Sequence, residues 1–147
     1  MKSLTLPKSA RLLKNGQFRT VLSRKIAASD ALLLLFVAKN KCEHPRLGIS
    51  ISRSAGNAVQ RNRMKRLIRE AWRLNQKQIP QGWDYLVMLS PHFLRRVRAS
   101  KKTASRPGRN SPQPVDSPAA IKNLKLKDVE KSFLSLTREL DSTGRLR

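Results

Sequence analysis

The segment at residues 56–72, GNAVQRNRMKRLIREAW, constrains the fold of this chain more than any other. At about 100° per residue, a helix through this segment collects its apolar residues on one arc and its basic residues on the other. The apolar arc is the face expected to pack on a core. That arc holds Met64, Leu67, Ile68, Ala71 and Leu74, and the opposite arc holds Arg61, Asn62, Arg63, Lys65, Arg66, Arg69 and Arg73.

The basic arc carries far more positive charge than a balanced surface helix. Glu70 is the only acid on it, and the whole chain has 32 Lys and Arg against 9 Asp and Glu, a net charge of +23. A charged helix face is ordinarily just solvated surface, but self-repulsion of this size opposes folding unless a polyanion relieves it. The basic arc therefore predicts binding to nucleic acid.

Length, cysteine content and hydropathy limit the class of protein. A chain of 147 residues is typical of one domain, and one cysteine permits no internal disulfide. The basic N-terminus has the composition of a mitochondrial transit peptide, but Pro7 and the lack of an apolar helical stripe argue against one. The longest apolar run, residues 31–38, is too short to span a bilayer. We expect a cytoplasmic protein.

The pattern of apolar residues and turn signals predicts a two-layer α+β domain. The predicted elements are a helix at 15–24, strands at 32–39 and 46–53, the basic helix to about residue 78, a strand at 83–90 and a helix at 125–140. Residues 95–121 are rich in Pro, Ser, Lys and Arg and poor in apolar residues, which predicts a disordered basic insert. The prediction is one domain over residues 1–147, folded at about 8–94 and 124–141.

No catalytic or metal site is predicted within the protein. The histidines are not in a metal-ligand spacing, and the four carboxylates considered are scattered singly, with no sequence sign of a paired acid and base. Any catalysis would then belong to a partner. The residues considered were His44, His92, Asp30, Glu43, Glu70 and Asp84.

The basic helix and its flanks resemble the signature of the bacterial ribonuclease P protein subunit. The hallmark is an Arg-Asn-Arg triplet, here residues 61–63, followed by Lys65, Arg66 and Arg69. The flanking stretches LPKSARLLKNGQF, RLGISISR and WDYLVMLSP also match in order. The resemblance covers most of residues 5–93, and residues 125–140 look like the final helix of the family.

The resemblance implies a fold and a function. The fold is a helical layer on a mixed sheet, with a left-handed β-α-β crossover through the basic helix, as in ribosomal-protein-like domains. The function is that of an accessory subunit, which joins a catalytic RNA that cleaves the 5′ leader from precursor tRNA. The RNA supplies the active site and binds Mg²⁺, so the protein alone is expected to be inactive. A one-to-one complex of protein and RNA is expected.

Site residues follow from the resemblance position by position. Arg61, Asn62, Arg63, Lys65, Arg66, Arg69 and Arg73 match the helix that packs on the catalytic RNA. Phe18, Leu22, Phe36, Ser50, Ser52 and Arg53 match a cleft that holds the single-stranded leader. Leu22 stands where many members have a second aromatic residue, and Leu35 or Phe36 must serve where a strand aromatic is common. The insert is longer than in the family pattern. It is either an RNA-binding tail or a solubilising linker.

Composition alone leaves rival functions open. A ribosomal protein or general RNA chaperone would share the charge without any role in cleavage. A DNA recognition helix lacks the preceding helix-turn-helix spacing. A membrane-active cationic helix would need an apolar face of anchor residues rather than of core residues. Selective, Mg²⁺-dependent stimulation of leader cleavage would distinguish the ribonuclease P subunit from these three rivals.

Overall fold

The computed structural model describes residues 10–12, 14–40, 44–104 and 124–144, and for residues 98–104 it describes the backbone alone. Eight helices and strands follow one another in these ranges. They are α1 Asn15–Ser23, β1 Ile26–Ser29, β2 Leu33–Lys39, β3 Arg46–Ser50, α2 Ala58–Leu74, β4 Trp83–Leu89, α3 Pro91–Ala104 and α4 Leu126–Ser142, with short 3₁₀ turns at Arg53–Ala55 and Gln76–Gln78.

The four strands form one mixed sheet in the order β1-β2-β4-β3. Strand β2 runs antiparallel to both β1 and β4, and β3 runs parallel to β4. The mixed sheet predicted for this chain is therefore confirmed. Helix α2 connects the parallel pair, and the left hand predicted for that connection stays a prediction.

Alternation along the central strands divides the core between the two sheet faces. Leu35 and Val87, which lie opposite each other on β2 and β4, pack into the larger cluster with residues of α2 and α4. Trp72 of α2 anchors that cluster, with its ring 5.5 Å from Tyr85 and 5.8 Å from Phe133 between centroids. The sheet with α2 and α4 makes the two predicted layers.

Helix α1 covers part of the other sheet face. Val21 of α1 and Leu86 of β4 are fully buried there, in a smaller cluster with Leu12 and Ala38. Phe18, Phe36 and Met88 pack against this cluster but remain partly exposed. Because α1 is a short helix of nine residues, it leaves an open cleft beside it on this face.

The buried face of α2 is rotated from the predicted apolar arc. Met64, Ile68, Ala71 and Trp72 are buried, whereas Leu74 is 44% exposed. The indole of Trp72 offers more apolar area than a leucine side chain, so the helix turns it inward. The placement of Leu74 on the packed face was therefore wrong. Arg61 consequently lies half-buried at the margin of the packed face rather than on the outer arc.

Helix α3 corrects the predicted start of the insert. It begins at Pro91 and continues to Ala104, and its Phe93 and Val97 are buried in the larger cluster. The Ser90 hydroxyl caps it by accepting the Phe93 N–H at 3.1 Å. The prediction of disorder from residue 95 was wrong over 95–104. The remainder of the predicted insert, 105–121, lies outside the described residues.

Candidate nucleic-acid interface

The start of α2 is fixed by its own sequence. The Asn57 side chain accepts the Gln60 N–H at 2.9 Å, and the Gln60 side chain accepts the Asn57 N–H at 3.1 Å. This reciprocal pair satisfies two backbone donors that a helix start otherwise leaves open. Gly56 precedes it at φ 155°, where an added Cβ would collide with the Gln60 side chain. The basic residues therefore project from a rigid, well-defined helix.

The outer surface of α2 presents a basic face. Asn62, Arg66 and Arg69 are exposed on it, and Lys65 is half-buried beside them. A groove along this surface is lined by Val59, Asn62, Arg63, Lys65, Arg66, Leu67, Arg69 and Glu70. Guanidinium groups with open N–H donors bind phosphate oxygens in a bidentate manner. The chemistry of this face therefore suits an RNA backbone.

Two arginines of the predicted set have structural contacts that the sequence did not indicate. Arg63 donates from Nη2 to the Leu124 carbonyl at 2.9 Å and so ties α2 to the start of α4. The Nε atom of Arg61 is buried, and no hydrogen-bond partner for it exists among the described residues. Arg63 therefore helps to define how α2 sits in the fold, in addition to any contact with a ligand.

Arg73 is paired near the end of α2. It forms a bidentate hydrogen-bonded ion pair with Glu70, three residues earlier. The hydrogen bond from Arg73 lowers the pKa of the Glu70 carboxyl below its usual range. The positive charge of Arg73 is thus partly neutralised, whereas Arg66 and Arg69 form no ion pair with a described residue.

The cleft beside α1 brings together part of the second predicted site. Its volume is about 270 Å³, and Phe18, Leu22 and Ser50 of the predicted set line it. Leu22 is 39% exposed at its rim. The other lining residues were not predicted from the sequence; they are Asn15, Ile49, Leu86 and Met88.

Three predicted cleft residues lie elsewhere. Phe36 packs in the smaller core cluster and is not part of the cleft lining. Ser52 lies past the end of β3, because the strand stops at Ser50 and not at residue 53. Its hydroxyl accepts the Ser54 N–H and caps the following 3₁₀ turn. Arg53 begins that turn and is exposed at the edge of the sheet.

Gly48 determines how closely Phe18 approaches the sheet. A Cβ on Gly48 would lie 2.8 Å from Phe18 Cε1 and 2.9 Å from Leu12 Cδ1. Both distances are far inside van der Waals contact, so only glycine allows α1 and the N-terminal segment to pack here. The N-terminal segment is held in the same place by the Leu12 N–H, which donates to the Leu47 carbonyl at 2.8 Å.

Gly48→Ala is expected to destabilise the fold by about 1–3 kcal/mol, the usual cost of overpacking a filled site. Adding Phe18→Leu to this variant should recover part of that loss, because the smaller side chain makes room for the new methyl group. Thermal unfolding of the two single variants and the double variant measures the coupling. Additive losses would show that Gly48 and Phe18 do not constrain each other.

Acidic groups are engaged inside the fold and do not converge. The Asp84 carboxylate accepts Arg46 Nε at 2.7 Å and Nη2 at 2.6 Å, and Asn40 Nδ2 at 2.8 Å. Within the described parts of the chain, no three His, Cys, Asp or Glu side chains lie close enough to hold a metal ion. No helix in those parts has the length and apolar character to cross a membrane.

Comparison with known proteins identifies the family of this chain. The model of the family described as Ribonuclease P matches residues 6–106. The chain belongs to the ribonuclease P protein family. The ribonuclease P protein component of Clostridium botulinum Loch Maree is 46% identical over 78 residues, 52% of this chain and 70% of that protein. The same component of the Langeland strain is 44% identical over the same shares.

Solved structures agree on the fold. The RNase P protein of Staphylococcus aureus has a TM-score of 0.62 at 24% identity, over 90% of this chain and 95% of that chain. The RNase P protein of Thermotoga maritima has a TM-score of 0.65 at 22% identity, over 88% and 96%. The predicted α+β class is thereby confirmed. By family, this chain is an RNA-binding subunit of ribonuclease P, the endoribonuclease of tRNA 5′ processing.

Proposed function

We propose that α2 binds the catalytic RNA of ribonuclease P while the cleft beside α1 binds the 5′ leader of precursor tRNA. The single observation that carries this proposal is the placement of the two surfaces. The basic face belongs to a helix that packs on one face of the sheet, and the cleft lies on the other face. One subunit can therefore contact two RNA segments at once, in a one-to-one complex with the catalytic RNA.

The α2 contact rests on charge and exposure. Asn62, Arg66 and Arg69 are exposed and make the first contacts with phosphate groups. Lys65 adds charge at the margin of the same face. Arg61, Arg63 and Arg73 take part as well, but the contacts of Arg63 to α4 and of Arg73 to Glu70 mean that they also shape the surface.

The leader contact rests on the chemistry of the cleft. Phe18 offers an aromatic ring for a base, and Leu86 and Met88 of β4 supply an apolar floor for the same base. The Ser50 hydroxyl supplies a polar contact to the sugar-phosphate backbone at the cleft. Beyond the cleft, the Ser52 hydroxyl and the Arg53 guanidinium supply further polar contacts. Stacking combined with backbone charge does not depend on sequence, which suits leaders that differ between tRNAs. Phe36 supports this site indirectly, by packing against the smaller core cluster beside Leu86.

Magnesium belongs to the RNA in this proposal. A protein with a net charge of +23 repels divalent cations, whereas RNA phosphates attract them. By neutralising phosphates, the protein would lower the Mg²⁺ concentration that the RNA needs for cleavage. We place this reaction in the cytoplasm.

Phe18→Ala tests the cleft. Stacking on one base contributes about 1–3 kcal/mol, so the holoenzyme should lose about 5- to 150-fold in affinity for precursor tRNA. Its affinity for mature tRNA, which has no leader, should not change. The measurement is equilibrium binding of both tRNAs to holoenzyme assembled with the variant.

A control and a second variant separate the cleft from the fold. Leu74→Ala removes a partly exposed apolar side chain from α2, far from the cleft. It should leave the difference in affinity between precursor and mature tRNA unchanged. Phe18→Leu keeps an apolar side chain beside Gly48 while removing the ring. If both Phe18 variants bind precursor tRNA as tightly as the wild type, the cleft does not hold the leader.

A further inference from the structure

We propose that helix α3 carries a second leader-binding surface, formed by His92, Arg95 and Arg96, which contacts leader nucleotides that extend beyond the cleft. This inference rests on the proposed function of the cleft. We call these three residues the α3 basic face. The ligand is the phosphate backbone of single-stranded RNA.

The sheet topology places α3 beside the end of the cleft. Strands β3 and β4 are parallel and in register from Arg46 opposite Asp84 to Ser50 opposite Met88. Their carboxyl ends therefore meet at one edge of the sheet. Strand β3 leads there into the 3₁₀ turn Arg53–Ala55, β4 leads into α3, and the turn packs against α3. Ser50 and Met88, the last pair in this register, both line the cleft.

The orientation of α3 is set by its apolar residues. Phe93 and Val97 are buried in the larger core cluster, and Leu94 is partly buried against it. His92, Arg95 and Arg96 are exposed, and their spacing of three and four residues puts them on one side of the helix. The basic side chains therefore form a continuous face directed to solvent.

The charge of this face is not compensated by the protein. The sequence of α3 contains no Asp or Glu, and among its described side chains none forms an ion pair. Arg95 donates from Nε to the Pro91 carbonyl at 3.3 Å, which uses one of its five N–H donors. The exposed Arg53 adds a further positive charge on the turn that packs against α3. Such a surface complements phosphate groups.

The size of the cleft explains why a leader would reach this face. Its volume of about 270 Å³ is below the roughly 300–1,000 Å³ of a site for one drug-sized ligand. Only a small part of a leader fits inside it. A longer strand must leave the cleft along the sheet, and the edge at Arg53 and α3 offers it positive charge, whereas apolar side chains line the cleft itself.

The test replaces Arg95 and Arg96 together with glutamine, which removes both charges and keeps a good helix former. The matched control is Lys39→Gln with Lys77→Gln, because both lysines are exposed and lie away from α3, Lys39 as the last residue of β2 and Lys77 in the 3₁₀ turn after α2. Holoenzyme affinity is measured across a salt series for precursor tRNAs with leaders of about 4 and about 16 nucleotides, the span of single-strand sites. Each lost single-strand phosphate contact lowers the slope of log K against log salt by about 0.7.

With the long leader, we expect the slope of log K against log salt to be smaller by about 1.4 for the α3 variant, through two lost contacts. With the short leader, the variant should match the wild type. The control should match the wild type with both leaders. An equal loss with both leaders would overturn the proposal, because α3 would then contact the catalytic RNA or the tRNA body. An unchanged slope with the long leader would overturn it as well.

The same experiment separates this inference from the proposed function. If Phe18→Ala weakens precursor binding at both leader lengths and the α3 variant has no effect, the cleft function stands and the extension to α3 fails. If Phe18→Ala has no effect at either length, the cleft function itself fails. A loss with the α3 variant would then identify α3 as a leader site independent of the cleft, contrary to the continuous path proposed here.

Discussion

Arg66→Glu combined with Arg69→Glu is expected to lower the affinity of the protein for the catalytic RNA by on the order of 10²–10⁴-fold. Each charge-assisted hydrogen bond contributes about 1.5–3 kcal/mol, so two lost bonds correspond to about 3–6 kcal/mol. Both side chains are exposed, and neither makes a side-chain hydrogen bond or ion pair within the described structure, so the fold should be unaffected. Filter binding or calorimetry at fixed salt measures the loss.

The control for this variant carries the same change in net charge at a different place. Lys39→Glu with Lys77→Glu makes the same change in net charge at two exposed lysines, one at the end of β2 and one in the 3₁₀ turn after α2, and should lower affinity only slightly, through the general field of the protein. An equal loss in both double variants would mean that total charge, and not the α2 face, determines binding. Arg61 and Arg63 are poorer choices because the Arg63 contact to Leu124 and the buried Arg61 Nε link them to folding.

Trp72→Ala is expected to cause the largest loss of stability of any single substitution in α2. Trp72 is 1% exposed and packs edge-on against Tyr85 on the sheet and against Phe133 on α4. Truncation of a buried tryptophan costs about 3–5 kcal/mol, which lowers Tm by on the order of 10–20 °C for a domain of this size. Thermal unfolding followed by circular dichroism measures the shift.

Leu74→Ala is the matched comparison, because Leu74 lies on the same helix and was expected from the sequence to share its core face. At 44% exposure its truncation should cost less than about 1 kcal/mol. The two substitutions together test the rotation of α2 that separates the structure from the sequence prediction. A larger loss for Leu74→Ala than for Trp72→Ala would contradict the observed packing.

Much of the fold could be predicted because its elements have clear periodicity. Helices α1, α2 and α4 and strands β2, β3 and β4 all appear close to their predicted positions. Strand β1 was missed because Ile26–Ser29 is short and rich in alanine, and only pairing with β2 makes it a strand. Helix α3 was missed because Pro91 was interpreted as the end of a strand, although proline is equally suited to the first position of a helix.

The candidate site could be predicted only in part, for a physical reason. The basic residues of α2 lie along one continuous helix, so their grouping follows from the sequence alone. The cleft is assembled from α1, β3 and β4, and only the sheet register brings Ser50, Leu86 and Met88 together beside Phe18. The sequence of β4 is apolar on both faces, so it does not indicate which of its residues line a cleft or which helix covers them. The requirement for glycine at position 48 likewise arises from tertiary contact.

The most direct test of the central claim is cleavage of precursor tRNA by a bacterial ribonuclease P RNA at low Mg²⁺, with and without this protein. We expect strong stimulation by the wild-type protein, no cleavage by the protein without RNA, and a large loss of stimulation for Arg66→Glu combined with Arg69→Glu. No stimulation of a cognate RNA would contradict the proposed function. The basic helix would then be a general RNA anchor, as in a ribosomal protein or RNA chaperone.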